Sequence, residues 1–118
     1  MKPTDAQRVV ITGLGAVSPF GEGVPAFFRG LREGRSGLRR LTRFTDPLLE
    51  CQVAAEVPDF DPKAHIEEKD LKRVPRVVPM AVAAAREALL SAGIRLETLT
   101  LEQKQKLGVV IGTGGGGI

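Results

Sequence analysis

The stretch Arg8-Val9-Val10-Ile11-Thr12-Gly13-Leu14-Gly15-Ala16-Val17-Ser18-Pro19-Phe20-Gly21 decides how this chain is read. Four β-branched residues in succession, Val9 to Thr12, predict a buried strand, because branched side chains pack well on a pleated surface. Gly13 and Gly15 follow at once and predict a tight exit from the sheet. Ser18-Pro19-Phe20-Gly21 continues that loop. A helix then fits Val24 to Glu33, with Pro25 in its first turn and Gly34 just past its end. Its apolar positions Phe27, Phe28 and Leu31 fall at helical spacing.

Working outward, a second and longer helix is expected within Lys69 to Ala92, ending at Gly93, a good left-handed cap. Ala81, Ala83, Ala84, Ala85 and Ala88 let other backbones approach it closely, which predicts a helix buried between layers. Pro79 is expected to kink this helix if it starts near Pro75, by removing a backbone donor. Leu107-Gly108-Val109-Val110-Ile111 is a second buried-strand pattern, running into Gly112-Thr113-Gly114-Gly115-Gly116-Gly117. Between the helices, Ser36 to Asp61 has no long period. Cys51 to Val57 is its best strand, at an edge or in a hairpin, and Asp61 is placed to cap a short helix starting at Pro62. The order strand, helix, irregular insert, helix, strand predicts an α/β fold with a parallel sheet. Two parallel strands make a poor sheet, and such sheets need cover on both faces. The 118 residues are therefore expected to be part of a larger folded unit.

Composition narrows the function classes. With 42% hydrophobic residues but no Trp, no Tyr and five Phe, a core must be built from Val, Leu, Ile and Ala. A formal charge of +3 is too mild to argue for nucleic acid, yet it allows a local basic patch for an acidic partner. The single Cys51 excludes an internal disulfide and fits a reducing compartment. No signal peptide and no membrane-spanning run is expected, so the default is a soluble cytoplasmic protein.

Each motif also has a plain structural reading. Gly13-Leu14-Gly15-Ala16-Val17-Ser18 resembles the start of a dinucleotide fingerprint. It lacks the third glycine and the acidic residue about twenty positions on, so a tight turn is favoured. A nucleotide-binding oxidoreductase is the alternative this motif leaves. Gly112 to Gly117 has no following Lys-Ser/Thr and reads as close backbone packing beside a site. Cys51 has nothing nearby to lower its pKa and reads as structural. His65 reads as solvated, and one histidine cannot build a metal site. Lys69, Lys72 and Arg73 are spaced to share a helix face, partly neutralised by Glu67, Glu68 and Asp70.

Taken in order, Arg8 to Gly21, Gly34-Arg35-Ser36-Gly37-Leu38, Ala81 to Leu89 and Gly112 to Gly117 resemble the β-ketoacyl–acyl-carrier-protein synthases, near the elongating synthase II type. Val74-Pro75-Arg76-Val77-Val78-Pro79 departs from that family's usual Met-Asp-Arg-Phe-x-x. The resemblance implies that residues 1–118 are the N-terminal part of a thiolase-like fold, incomplete, with a parallel-type sheet and a buried Ala-rich helix. It implies decarboxylative Claisen condensation of acyl and malonyl thioesters on acyl carrier protein, by a cytoplasmic homodimer without cofactor or metal. The family's Cys-His-His set is not in this chain: the nucleophile is expected beyond Ile118 and the histidines later still, so the chain alone is expected to be inactive. What carries over is Gly115, as a lining of the acyl pocket, and Lys69, Lys72 and Arg73, as the face that meets the acidic carrier protein. A non-catalytic chain-length-factor subunit or a polyketide ketosynthase is the alternative within the same resemblance.

Overall fold

In the computed structural model, which describes residues 8–43 and 46–114, the chain starts its regular structure at a tight hairpin. Strands β1 (Val17–Ser18) and β2 (Gly21–Glu22) pair antiparallel across Pro19-Phe20. The buried Ser18 hydroxyl donates to the Gly21 carbonyl and accepts from the Phe20 N–H, both at 3.3 Å, so the turn is closed by its own side chain. Helix α1 (Val24–Arg32) follows, with Pro25 in its first turn and Gly34 in the left-handed region (φ 61°) after its end. The sequence predicts this start, the Pro25 and the Gly34, and places the end one residue later, at Glu33, which is the C-cap.

Strands β3 (Arg39–Arg40) and β4 (Val53–Ala54) form a second antiparallel pair, so the Cys51–Val57 segment does contain a short hairpin strand. Asp61 caps a 3-10 turn at Pro62–Ala64, its carboxylate accepting from the Lys63 N–H at 2.9 Å. A one-turn helix, α2 (Glu68–Leu71), precedes the long α3 (Val77–Ser91). Another 3-10 turn spans Leu96–Thr98, and α4 (Leu101–Gln105) is closed by a reciprocal Thr100–Gln103 capping box.

Helix α3 differs from the sequence reading at its start. It begins at Val77, which puts Pro79 in the first turn, where N–H groups have no intrahelical acceptor. The proline costs no hydrogen bond there, and its side chain is fully buried, with Ala83 and Phe60 buried as well. Gly93 (φ 71°) follows the end of α3 as expected.

The parallel sheet is the main correction. Among the described residues the ladders are two antiparallel pairs of two residues each, and neither Arg8–Thr12 nor Leu107–Ile111 joins one. A strand exists only through its neighbour's hydrogen bonds, and these two runs have no neighbour strand here. Their side chains are bare: Val9 is 99% and Val110 98% exposed. The described glycines of the second run, Gly112 and Gly114, also differ from expectation, since a Cβ on either would meet nothing within 4 Å.

Candidate functional site

The first loop and α3 are joined by backbone contact. Ala84, Ala88 and Ala92 recur every fourth residue and form one stripe along the helix. Gly15 lies on Ala84 and Ala88, and Gly13 on Ala88 and Ala92. A Cβ added to Gly15 would sit 1.8 Å from the Ala84 carbonyl oxygen, and one on Gly13 2.1 Å from that of Ala88. The two glycines are therefore required for closeness to a helix, which is the physical content of the loop.

The same helix turns Glu87 toward the start of α1. Its Oε2 accepts from the Ala16 N–H and its Oε1 from the Val24 N–H, both at 2.8 Å. One half-buried carboxylate thus satisfies a loop amide and a first-turn amide of α1, and it places negative charge at that helix's positive end. In a dinucleotide fold this is where a pyrophosphate rests. Here the chain's own side chain fills the place, and the glycines face α3. Glu87 was not singled out in the sequence, although it is the one acidic residue of α3. Beside it a cavity of about 400 Å³ is lined by Ile11, Thr12, Gly13, Leu14, Pro25 and Ser91.

The three expected carrier-docking cations do not share one long helix. Lys69 lies in α2, Lys72 caps it, and Arg73 sits in the following turn, its N–H donating to the Asp70 carbonyl at 2.9 Å. Lys69 pairs with Glu67 at 2.6 Å, and Glu68 is taken by Lys63 at 2.8 Å, a hydrogen bond that raises the Lys63 pKa. Among the described residues, Lys72 and Arg73 are exposed with no carboxylate in ion-pair range. Gly115 lies outside the described residues.

His65 is a correction. Its side chain is only 12% exposed, its ring stacks on Phe60 with centroids 5.3 Å apart, and Nε2 is 3.1 Å from the Glu22 carboxylate. It ties the first hairpin to the 3-10 turn. The signal was its place four residues after the cap Asp61, five after an aromatic. Arg76 covers Phe60 as well, 5.4 Å from the ring centroid, and donates to the Val57 carbonyl at 3.1 Å. Cys51 is exposed, its Sγ 3.6 Å from the Val53 carbonyl oxygen. Among the described residues no cluster of His, Cys, Asp and Glu is arranged to hold a metal ion. No helix among them is long and apolar enough to cross a membrane.

A glycine loop seated on an alanine helix, locked by a helix carboxylate, sets the frame for comparison with known proteins. The family model described as "Beta-ketoacyl synthase, N-terminal domain" matches residues 6–117. The chain belongs to that family. Among its relatives, the 3-oxoacyl-[acyl-carrier-protein] synthase 2 of Synechocystis sp. is 37% identical over 118 residues, covering 100% of this chain and 28% of that protein. The putative polyketide beta-ketoacyl synthase 1 of Streptomyces halstedii is 42% identical over 113 residues, 95% of this chain and 26% of that one. A solved structure titled "The ishigamide ketosynthase/chain length factor" superimposes with a TM-score of 0.67 at 43% identity, covering 76% of this chain and 22% of its own. This ketoacyl synthase chain therefore has a thiolase-like ketosynthase neighbour and mixed α/β content, and it spans about a quarter of the length of these relatives. Within the β-ketoacyl synthase frame, the loop, α1 and α3 form a scaffold; the described residues hold no nucleophile–base pair.

Proposed function

We propose that this chain is the N-terminal portion of the N-terminal domain of a condensing enzyme that extends acyl chains on acyl carrier protein. The observation that carries this is the family match over residues 6–117, with whole-chain similarity to a 3-oxoacyl-[acyl-carrier-protein] synthase 2. In that reaction an acyl group passes from its carrier thioester to a cysteine thiolate. Malonyl–acyl carrier protein then loses carbon dioxide, and the carbanion at C2 attacks the acyl thioester. The new carbon–carbon bond forms as the cysteine thiolate leaves. The cysteine and its two histidines belong to the parent protein outside these 118 residues. In this reading the chain by itself is inactive and the parent is a cytoplasmic homodimer.

Within this chain, Lys69, Lys72 and Arg73 meet the acidic carrier protein, and Gly115 lines the acyl pocket, where the small side chain admits longer chains. Lys72 and Arg73 support the first assignment, since no carboxylate of the described residues is in ion-pair range of either. The test is made on the full-length gene product. Lys69→Glu with Arg73→Glu is expected to raise KM for the acyl carrier protein about tenfold at low salt with kcat nearly unchanged. An unchanged, salt-insensitive KM would remove the docking role. Gly115→Ile is expected to shorten the preferred acyl chain, and an unaltered product profile refutes that role.

A second reading is favoured by the chain-length-factor title of the structural neighbour: a non-catalytic subunit that keeps the fold without the cysteine. Acylation of the purified parent by radiolabelled acyl thioester, trapped on one cysteine, supports the enzyme. No trapped acyl group supports the partner subunit.

A further inference from the structure

We propose that Arg35, Arg39, Arg43 and Arg76, set in two clefts that share Pro58 as a wall, form a docking surface for an acidic polypeptide segment. The charge is concentrated before any folding. Residues 29–43 hold six arginines, Arg29, Arg32, Arg35, Arg39, Arg40 and Arg43, against the single acid Glu33, more positive charge than the whole chain's +3. Folding then gathers part of it. Arg35 and Arg39 line a cavity of about 220 Å³ with Pro19, Phe20, Ser36 and Asp59, bounded by Pro58. Arg43 and Arg76 line a second, of about 330 Å³, with Thr42, Glu56, Val57 and Phe60, again bounded by Pro58.

Most of the guanidinium donors in these clefts are unused. Each guanidinium offers five N–H groups. Arg39 gives one to the Pro19 carbonyl at 2.9 Å and Arg76 one to the Val57 carbonyl. Arg35 pairs through Nε with Glu33 at 3.1 Å, and the Arg43 guanidinium has Glu56 as its electrostatic neighbour without a hydrogen bond or ion pair among the described residues. The cleft carboxylate Glu56 is already engaged, accepting from the Thr42 N–H and hydroxyl and from the Arg43 N–H. Four guanidinium groups thus face three carboxylates, of which Glu33 is paired with Arg35, Asp59 lines the first cleft, and Glu56 lies with Arg43 and Arg76 in the second. Burial and the neighbouring Arg43 lower the Arg76 pKa, with Glu56 partly offsetting them.

The partner class follows from what the clefts lack. Single-stranded nucleic acid needs open aromatic faces for base stacking. Here Phe20 lies against Gly30 under the Arg35 guanidinium, and Phe60 is covered by His65 and Arg76. A membrane surface needs apolar side chains that project beside the cations, whereas the apolar members of these clefts other than proline are half-buried (Phe20, Val57) or buried (Phe60). Planar guanidinium pairs in two small clefts match carboxylates spaced along an extended chain.

The surface uses none of Lys69, Lys72 and Arg73 and does not rest on the condensing activity. The test is fluorescence anisotropy of a labelled peptide of alternating Asp and Glu, titrated with the full-length gene product at low and moderate salt. Arg39→Glu with Arg43→Glu is expected to weaken binding about tenfold or more. Arg86→Glu with Arg95→Glu, the same charge change elsewhere, is expected to stay within about twofold. The milder pair Arg39→Gln with Arg43→Gln, folded by circular dichroism, is expected to weaken binding at least about threefold. Equal losses in both Glu pairs, no binding by the unaltered chain, or no loss in the Gln pair each overturn the proposal. So does tighter, arginine-dependent binding of an oligothymidylate or of phosphatidylserine vesicles in place of the peptide.

Discussion

Replacing Glu87 by alanine removes the acceptor of two amides at once, which gives a sharp local expectation. The Ala16 and Val24 N–H groups each donate to this carboxylate at 2.8 Å, and neither has another acceptor in reach. A hydrogen bond to a charged group contributes about 1.5–3 kcal/mol. Glu87 is only half-buried, so water replaces part of each bond in the variant. Two bonds at the reduced value give about 2–3 kcal/mol of local stability. Since about 1.4 kcal/mol is a factor of ten, exchange at the Ala16 and Val24 amides should speed up roughly thirty- to a hundredfold. Amide hydrogen exchange by NMR reads each position separately. The Lys104 amide, bonded to the Thr100 carbonyl in α4, reports whether the change is local and should keep its rate. Glu87→Gln retains one acceptor, turns a donor toward the other amide, and should fall between the two. If Ala16 and Val24 exchange within about threefold of the parent rate in Glu87→Ala, the carboxylate does not hold this junction together.

Gly15→Ala drives a Cβ onto the Ala84 carbonyl and should lower stability by about 3 kcal/mol or more, read as a fall in Tm. Gly34→Ala meets open space and carries only the left-handed backbone penalty of about 1–2 kcal/mol, so a Gly15 variant no worse than Gly34→Ala refutes the loop–helix contact. Glu56 is held below its ordinary 4.5, first by the Thr42 hydroxyl and then by the Thr42 and Arg43 amides, against the opposing effect of burial. Because the folded value is depressed, the stabilisation is complete above 4.5 and is lost as pH falls through the folded value. The Thr42 amide proton should shift in that lower range, and Glu56→Gln should abolish the shift.

What the sequence made legible is what neighbours in sequence decide. Pro25 and Gly34 bracket α1, Gly93 ends α3, and Asp61 caps its 3-10 turn, because caps and left-handed glycines act within a few residues. Contacts across long separations were illegible. Glu87 reaches partners 71 and 63 residues away, and His65 reaches Glu22 across 43. The Ala-rich helix was read as closely approached on several sides, and the approaching backbone is the Gly13–Gly15 loop whose glycines had been assigned to a turn. Pro79 was misjudged by two residues of helix start, enough to change it from a lost donor to a core side chain. The carrier-docking trio was visible as charge, but the end of α2 at Leu71 set its arrangement. Of the six arginines of residues 29–43, Arg35, Arg39 and Arg43 line the two clefts bounded by Pro58, a grouping that depends on contacts distant in sequence.

The bare runs at Val9–Ile11 and Val109–Ile111 have a consequence for handling the protein. Each is a short, uncharged, β-branched segment open along its length, the kind of sequence that templates intermolecular strand pairing. Concentration therefore works against this chain: two molecules that meet can zip these segments together in a register that neither fold specifies. Dilution, a solubilising fusion or a chaperone that masks extended apolar strands keeps these runs apart, and a lysine placed within either run acts as a gatekeeper against fibre growth.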